Sequence, residues 1–283
     1  MNTAKHIKSI DFRKLWGEID LHWDLCPDVN ILSGSNGSGK STLLRCLGDM
    51  FRKGSISSSR KGLIEGIDIE FSSWEEITSD KPFDPKEYNV TVISTFDTAP
   101  ADEEALRKVT AGNVYTDLDL EIYKLNNSFL KYQLEIGREV IAALSEGKPA
   151  GEIARLTAHK TMYCDIIDSL FAPTGKKIDR QEDSLSLILG KKTLTPYQLS
   201  SGEKQILIIL TSVLIQNRRP YIMLLDEPEI SLHFDWQRRL IEDIMALNPA
   251  LQLILATHSP AVIMGGWLDR VSEISELVIN ADD

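Results

Sequence analysis

No stretch of the 283 residues approaches the roughly 18 consecutive apolar residues that a membrane-spanning helix needs, and the N-terminus, MNTAKHIKSIDFRK, has no apolar run behind its lysines. Direct membrane insertion and secretion are therefore not expected, and a cytoplasmic location is. Cysteine is scarce: Cys26, Cys46 and Cys164 are odd in number and widely spaced, which excludes a disulfide framework and a cysteine metal site. Partly buried thiols are expected instead. The 17 glycines and 11 prolines are too dispersed for a long disordered tract, and no internal repeat is visible. Basic residues are in deficit, 31 against 42 acidic ones, for a net charge of -11. That balance argues against a chain that coats nucleic acid over its whole surface, while leaving room for a local basic groove.

What is present is the composition of an ordinary globular protein, 42% apolar and 26% charged, with length enough for one or two domains. Ile7 to Phe12, Ile19 to Leu25 and Val29 to Ser33 read as short strands, and the third runs through a glycine-rich loop into a helix at Ser41 to Leu47. Residues 52 to 66 read as an exposed loop. Ile67 to Phe71 and Val90 to Ser94 read as further strands. From Leu118 to Leu144 apolar residues recur every three or four positions (Ile122, Leu125, Phe129, Tyr132, Ile136, Val140), and a second helical region carries Ile153 to Leu170. This stripe most simply packs the helices together; a partner-docking face is the alternative. Ser184 to Leu189 and the apolar Tyr221 to Leu225 and Leu251 to Ala256 read as strands, separated by helices at Gln205 to Ile215 and Trp236 to Leu247, with a short helix near Pro260. The expected class is α/β, a mostly parallel sheet covered on both faces, with an antiparallel N-terminal strand region and a helical insertion. The expected division is 1–99, an N-terminal half, 100–182, the insertion, and 183–283, the C-terminal half.

Three segments carry chemistry. Gly34-Ser35-Asn36-Gly37-Ser38-Gly39-Lys40-Ser41-Thr42 matches G-x-x-x-x-G-K-[ST] between a strand and a helix. Its glycines let backbone N–H groups wrap the phosphates of ATP, Lys40 reaches the β- and γ-phosphates, and Ser41 is a candidate ligand of Mg²⁺. Tyr221-Ile222-Met223-Leu224-Leu225-Asp226-Glu227 ends a buried strand on two carboxylates, a costly arrangement unless charge sits beside them. Asp226 is then a metal-orienting residue and Glu227 the candidate that polarises the attacking water. His258, after the strand Leu251 to Ala256, falls at the sheet edge where a γ-phosphate lies and is a candidate sensor of it.

With these residues placed, the chain resembles the ABC-type P-loop ATPases, in the soluble branch that includes the SMC, RecF and OLD-like ATPases and the "AAA family" defence ATPases. The resemblance covers residues 6 to 50 and 184 to 265. Leu199-Ser200-Ser201-Gly202-Glu203-Lys204-Gln205 looks like the family's signature motif, with Ser201 in place of a glycine. It implies a homodimer with two ATP molecules sandwiched between the copies, Ser200 and Gly202 of one completing the site of the other. Glu229 to His233 resembles the D-loop at the dimer interface, Thr257 to Pro260 the switch region, and Asp11-Phe12-Arg13 an opening strand that implies Arg13 as a nucleotide contact. One departure stands out: Ile93-Ser94-Thr95-Phe96-Asp97-Thr98, where the family places a magnesium-sensing glutamine, has none, and Thr95 or Asp97 is the substitute.

The resemblance implies ATP hydrolysis driving a conformational switch in a defence or DNA-maintenance system, with a separate effector protein because fewer than twenty residues follow position 265. A nucleotide-binding subunit of a membrane transporter is the alternative. Arg52, Lys53, Arg60 and Lys61, and Arg238 with Arg239, are candidate contacts to DNA, although surface solubility accounts for either cluster.

Overall fold

The computed structural model describes residues 6–93 and 116–279. Its centre is a five-stranded, all-parallel sheet in the order β12-β3-β11-β10-β6, built from β3 (Val29–Ser33), β6 (Val90–Ile93), β10 (Tyr221–Asp226), β11 (Leu251–Ala256) and β12 (Val271–Glu273). Every residue of β10 and β11 is buried, as the unbroken apolar runs predict for strands covered on both faces.

Alternate side chains feed two cores. Met223 and Leu225 of β10 face a helical layer, α2 (Asp117–Ser145), α3 (Ala150–Phe171), α4 (Ser201–Leu214) and α5 (Phe234–Leu247). Ile222 and Leu224 face α1 (Lys40–Lys53) and a four-stranded antiparallel sheet, β2-β1-β4-β5, made of β1 (Ile7–Leu15), β2 (Ile19–Asp24), β4 (Gly66–Phe71) and β5 (Glu76–Thr78). Gln252, buried in β11, joins the two sheets: its side-chain amide accepts from Ile7 N–H and donates to the Ile7 carbonyl, both at 2.8 Å. An amide satisfied this way fixes how the sheets meet, where an apolar side chain would allow sliding.

The stripe on α2 is a packing face: Ile122, Leu125, Phe129, Tyr132 and Ile136 are all buried. Two ion pairs hold the start of α4, Lys204 to Asp119 of α2 at 2.8 Å and Glu203 to Lys176, which lies just after α3, at 2.6 Å, with all four side chains largely buried. Among the described residues no helix is long and apolar enough to cross a membrane. Cys46 and Cys164 are buried, and burial pushes the Cys46 thiol up to about 11.

Two expectations are corrected. Of Ser184 to Leu189 only Leu187–Leu189 pairs as a strand (β8), inside a small antiparallel sheet with β7 (Lys176–Ile178) and β9 (Lys192–Leu194). The loop from 52 to 66 is not simply exposed, since α1 runs to Lys53 and Ile56 and Ile64 are buried. Its arginines are also engaged within the chain: Arg60 pairs with buried Asp49 at 2.5 Å and Arg52 donates to the Val92 carbonyl at 2.6 Å. On α5, Arg239 pairs with Asp243 at 3.1 Å.

Candidate functional site

The loop from β3 to α1 closes on positive φ at three glycines, 149° at Gly34, 80° at Gly37 and 103° at Gly39, a region that side chains disfavour. Gly39 is also hemmed in: a Cβ there would lie 3.1 Å from Leu15 and 3.2 Å from the Trp16 ring. Gly39 is the N-cap of α1 and supplies no side chain to cap it, so the first N–H groups of the helix face the loop. Lys40 is 4% exposed and its ammonium donates to the carbonyls of Gly34 and Ser35 at 2.7 and 3.0 Å.

A cleft of about 320 Å³ opens on this loop. Its walls are Trp16, Asn36, Gly37, Gly39, Lys40, Ser41 and Thr42, joined from across the sheet by Glu227 and His258. The parallel sheet brings these segments together because β3, β11 and β10 are neighbours and their C-terminal ends align, Leu32 with Ala256 and Asp226 with Ala256. Backbone bonds lock the alignment, Thr257 N–H to the Leu32 carbonyl at 3.1 Å and Glu227 N–H to the Ala256 carbonyl at 2.9 Å. Glu227 holds φ at 45°, uncommon outside glycine. Its Oε2 lies 3.3 Å from His258 Nδ1. Two larger grooves, over α3 and beside β4 and β5, include no residue of the glycine loop.

Asp226 is 2% exposed. Its Oδ2 accepts from Arg45 Nε at 2.9 Å, and its Oδ1 is buried with no hydrogen-bond partner among the described residues. A buried, unsatisfied carboxylate oxygen on the residue before Glu227, and the hydroxyl of Ser41 in the cleft, are of the hard oxygen type that a hydrated magnesium ion takes.

Other predicted residues stand elsewhere. Arg13 is not among the cleft residues; its guanidinium pairs with Asp68 at 3.0 Å and Asp80 at 2.5 Å, and its pKa is raised, first by the hydrogen bond to Asp80. Trp16, three residues on in the turn between β1 and β2, reaches the cleft instead, with φ at 54° and 46% of its surface exposed. Nothing in its spacing marked it, because that turn becomes a wall only once the antiparallel sheet is laid over α1. Ser200 and Gly202 do not line the cleft of their own chain. Ser200 is the exposed N-cap of α4 in a capping box with Glu203. Burial pushes the Glu203 carboxyl up, but Lys176 and Ser200 outweigh it and hold the group below the usual carboxylate range. Gly202 is buried against the Ser231 carbonyl. Residues 94 to 98, including the proposed substitutes Thr95 and Asp97, lie outside the described residues.

Fold and cleft together define an α/β P-loop protein with the fold seen in SMC-type ATPase heads. The chain belongs to the family described as "AAA domain, putative AbiEii toxin, Type IV TA system", whose model matches residues 119–264. It is similar over 98% of its length to Septu protein PtuA of Bacillus thuringiensis, at 21% identity, and spans 76% of that protein. A 104-residue stretch, 33% of the chain, is 30% identical to the Retron Vc95 probable ATPase of Vibrio cholerae serotype O1 biovar El Tor, covering 20% of it. In fold it resembles the Smc head domain of Pyrococcus furiosus, solved bound to the C-terminal domain of ScpA, with a TM-score of 0.52 at 14% identity over 92% of each chain.

Proposed function

We propose that this chain binds ATP with Mg²⁺ in the cleft between the glycine loop and Glu227, hydrolyses it as a head-to-tail homodimer, and passes the resulting change of shape to a separate effector in a defence system. The observation that carries the reading is the convergence of Lys40, Glu227 and His258 from three segments on one cleft, with buried Asp226 next to Glu227 at the end of β10. In this reading the N–H groups of residues 37 to 42 and Lys40 hold the phosphates. Ser41 and Asp226 hold the metal, whose chemistry is to neutralise charge on the phosphate oxygens. Glu227 takes a proton from the attacking water, and His258 faces the terminal phosphate. Ser200 and the N-terminus of α4 from the second copy complete the charge stabilisation, a helix N-terminus being suited to an anion.

Ser200 supports the homodimer: it is exposed and outside its own cleft, where a second copy would bring it to a phosphate. A defence role and a separate effector follow from the Septu and retron relatives and from the ScpA-bound Smc head, and rest on analogy. DNA is the weaker partner in this reading, because Arg52, Arg60 and Arg239 are engaged within the chain.

Phosphate release and light-scattering mass, measured with ATP and with ADP, test the proposal. Turnover and a doubling of mass with ATP alone are expected; a chain that binds neither nucleotide overturns it. Trp16 is expected to stack on the base. Trp16→Ala should then weaken ATP by about 0.5–1.5 kcal/mol, roughly 2- to 12-fold, the worth of one aromatic contact. Affinity for tripolyphosphate, which has no base, should not change, and competition titration of the two ligands reads the difference.

A further inference from the structure

Glu229 does not line the cleft, yet it is 4% exposed and sits two residues past Glu227. Its Oε1 accepts hydrogen bonds from the Thr257 hydroxyl and from His258 N–H, the latter at 3.2 Å, and stands 3.7 Å from His258 Nδ1. The same turn is tied a second time. Gln237 Nε2 donates to the carbonyls of Glu229 and Leu232 at 3.2 and 2.9 Å, while Gln237 Oε1 accepts from the Ser259 hydroxyl at 2.7 Å. Ser259 N–H donates to Thr257 Oγ1 at 3.0 Å, which closes a ring of hydrogen bonds between residues 229–237 and 257–259.

A carboxyl is costly to bury, and burial does push Glu229 above the usual carboxylate range against the opposing bonds from Thr257 and the backbone. What the burial achieves is orientation. The Nδ1 edge of His258 is set between Glu227 Oε2 at 3.3 Å and Glu229 Oε1 at 3.7 Å, so Nε2 lies on the opposite edge of a side chain that is 47% exposed and lines the cleft. The neighbouring Ile230 and Ser231 are exposed, so a surface pressed on that turn bears on the same carboxyl.

We propose that Glu229 is a positioning residue for ATP hydrolysis: through Thr257 and the His258 N–H it sets the angle at which the imidazole faces the cleft, and it ties that angle to the exposed Ile230–Ser231 turn. The proposal rests on the hydrolysis reading above. Its test is a double-mutant cycle in the full chain between Glu229→Leu and His258→Ala, with kcat and the KM for ATP measured separately. Glu229→Leu should lower kcat on the order of tenfold, the effect of losing a buried, charge-assisted hydrogen bond, with KM unchanged. Glu229→Gln keeps an acceptor oxygen and should recover most of kcat. In the His258→Ala background neither change should matter further, because both act through the imidazole. Losses that add, or a raised KM with kcat kept, overturn the proposal and leave hydrolysis standing; a wild-type chain that binds ATP without turning it over removes both. Should Glu229→Leu fail to fold, Thr257→Val replaces the hydroxyl with a methyl, removing its bonds to Glu229 and from Ser259 N–H while keeping the carboxyl, and its cycle with His258→Ala decides in the same way.

Discussion

Glu227→Gln is expected to lower ATP turnover by roughly 10²- to 10⁴-fold, the contribution of a positioned general base, while keeping ATP affinity. The substitution is nearly isosteric and makes the same backbone demand, φ at 45° with the N–H held by the Ala256 carbonyl at 2.9 Å. A carboxamide cannot take a proton from water, and the change also removes a negative charge beside the phosphate site. The variant should therefore accumulate with ATP bound and, if two copies close on it, as a stable particle of doubled mass. Lys40→Ala should show neither, since the ammonium now held by the Gly34 and Ser35 carbonyls is the one the phosphates would draw. Phosphate release and light scattering on both variants read the result. Turnover of Glu227→Gln within a few-fold of wild type would move the base to another group, with His258, 3.3 Å away, the first to examine.

The strained backbone at Glu227 bears on why this residue and not Asp226 is assigned to the water. A non-glycine residue at positive φ costs on the order of 1–2 kcal/mol, a cost tolerated where the surroundings enforce it. Asp226 completes β10 in regular geometry with its side chain buried against Arg45; Glu227 turns sharply out of the sheet and presents its carboxylate to the cleft. Two adjacent carboxylates thus point to different tasks because the chain bends between them.

The parts of this molecule that were legible in its residues are those where a long pattern speaks with one voice. The buried runs of β10 and β11, the three-to-four spacing on α2 and the glycine loop between β3 and α1 each carry several residues that agree. The strands of the small sheet do not: Lys176–Ile178, Leu187–Leu189 and Lys192–Leu194 are three residues each, too short for alternation to register. Ser184 to Ser186 extend the alternation, but beyond the one bond from Asp179 N–H to the Ser186 carbonyl the pairing stops. Trp16, Arg13 and Glu229 were opaque for a different reason. Each takes its place from a contact distant in sequence, Trp16 on Gly39, Arg13 on Asp68 and Asp80, and Glu229 on Thr257. No window of neighbouring residues contains that information. The loop at 52 to 66 looked free because charge and glycine are common in free loops, yet Asp49 on α1 gives Arg60 and Ser57 an internal anchor.

Gly202→Ala separates what one copy does for itself from what it does for another. A Cβ at 202 would lie 2.2 Å from the Ser231 carbonyl oxygen, a backbone atom that Leu232 N–H to Glu229 and Gln205 Nε2 to Pro228 hold in place. Overpacking of this kind costs about 1–3 kcal/mol, and here the strain is relieved most directly by displacing the start of α4, and Ser200 with it. None of the residues lining the cleft is altered, so ATP should bind each monomer as before. ATP-dependent pairing and turnover should instead fall, by roughly 5- to 150-fold if the strain is felt in full at the interface. Mixing then gives the sharper result. Gly202→Ala supplies an intact glycine loop and Lys40→Ala an intact signature segment, so a mixed pair contains one complete composite site although neither variant alone has any. Recovery of phosphate release on mixing requires that the segment act across the pair; no recovery, with both variants folded and Gly202→Ala still binding ATP, means that each chain completes its own site and that Gly202 matters only for how α4 seats on the turn at Ser231.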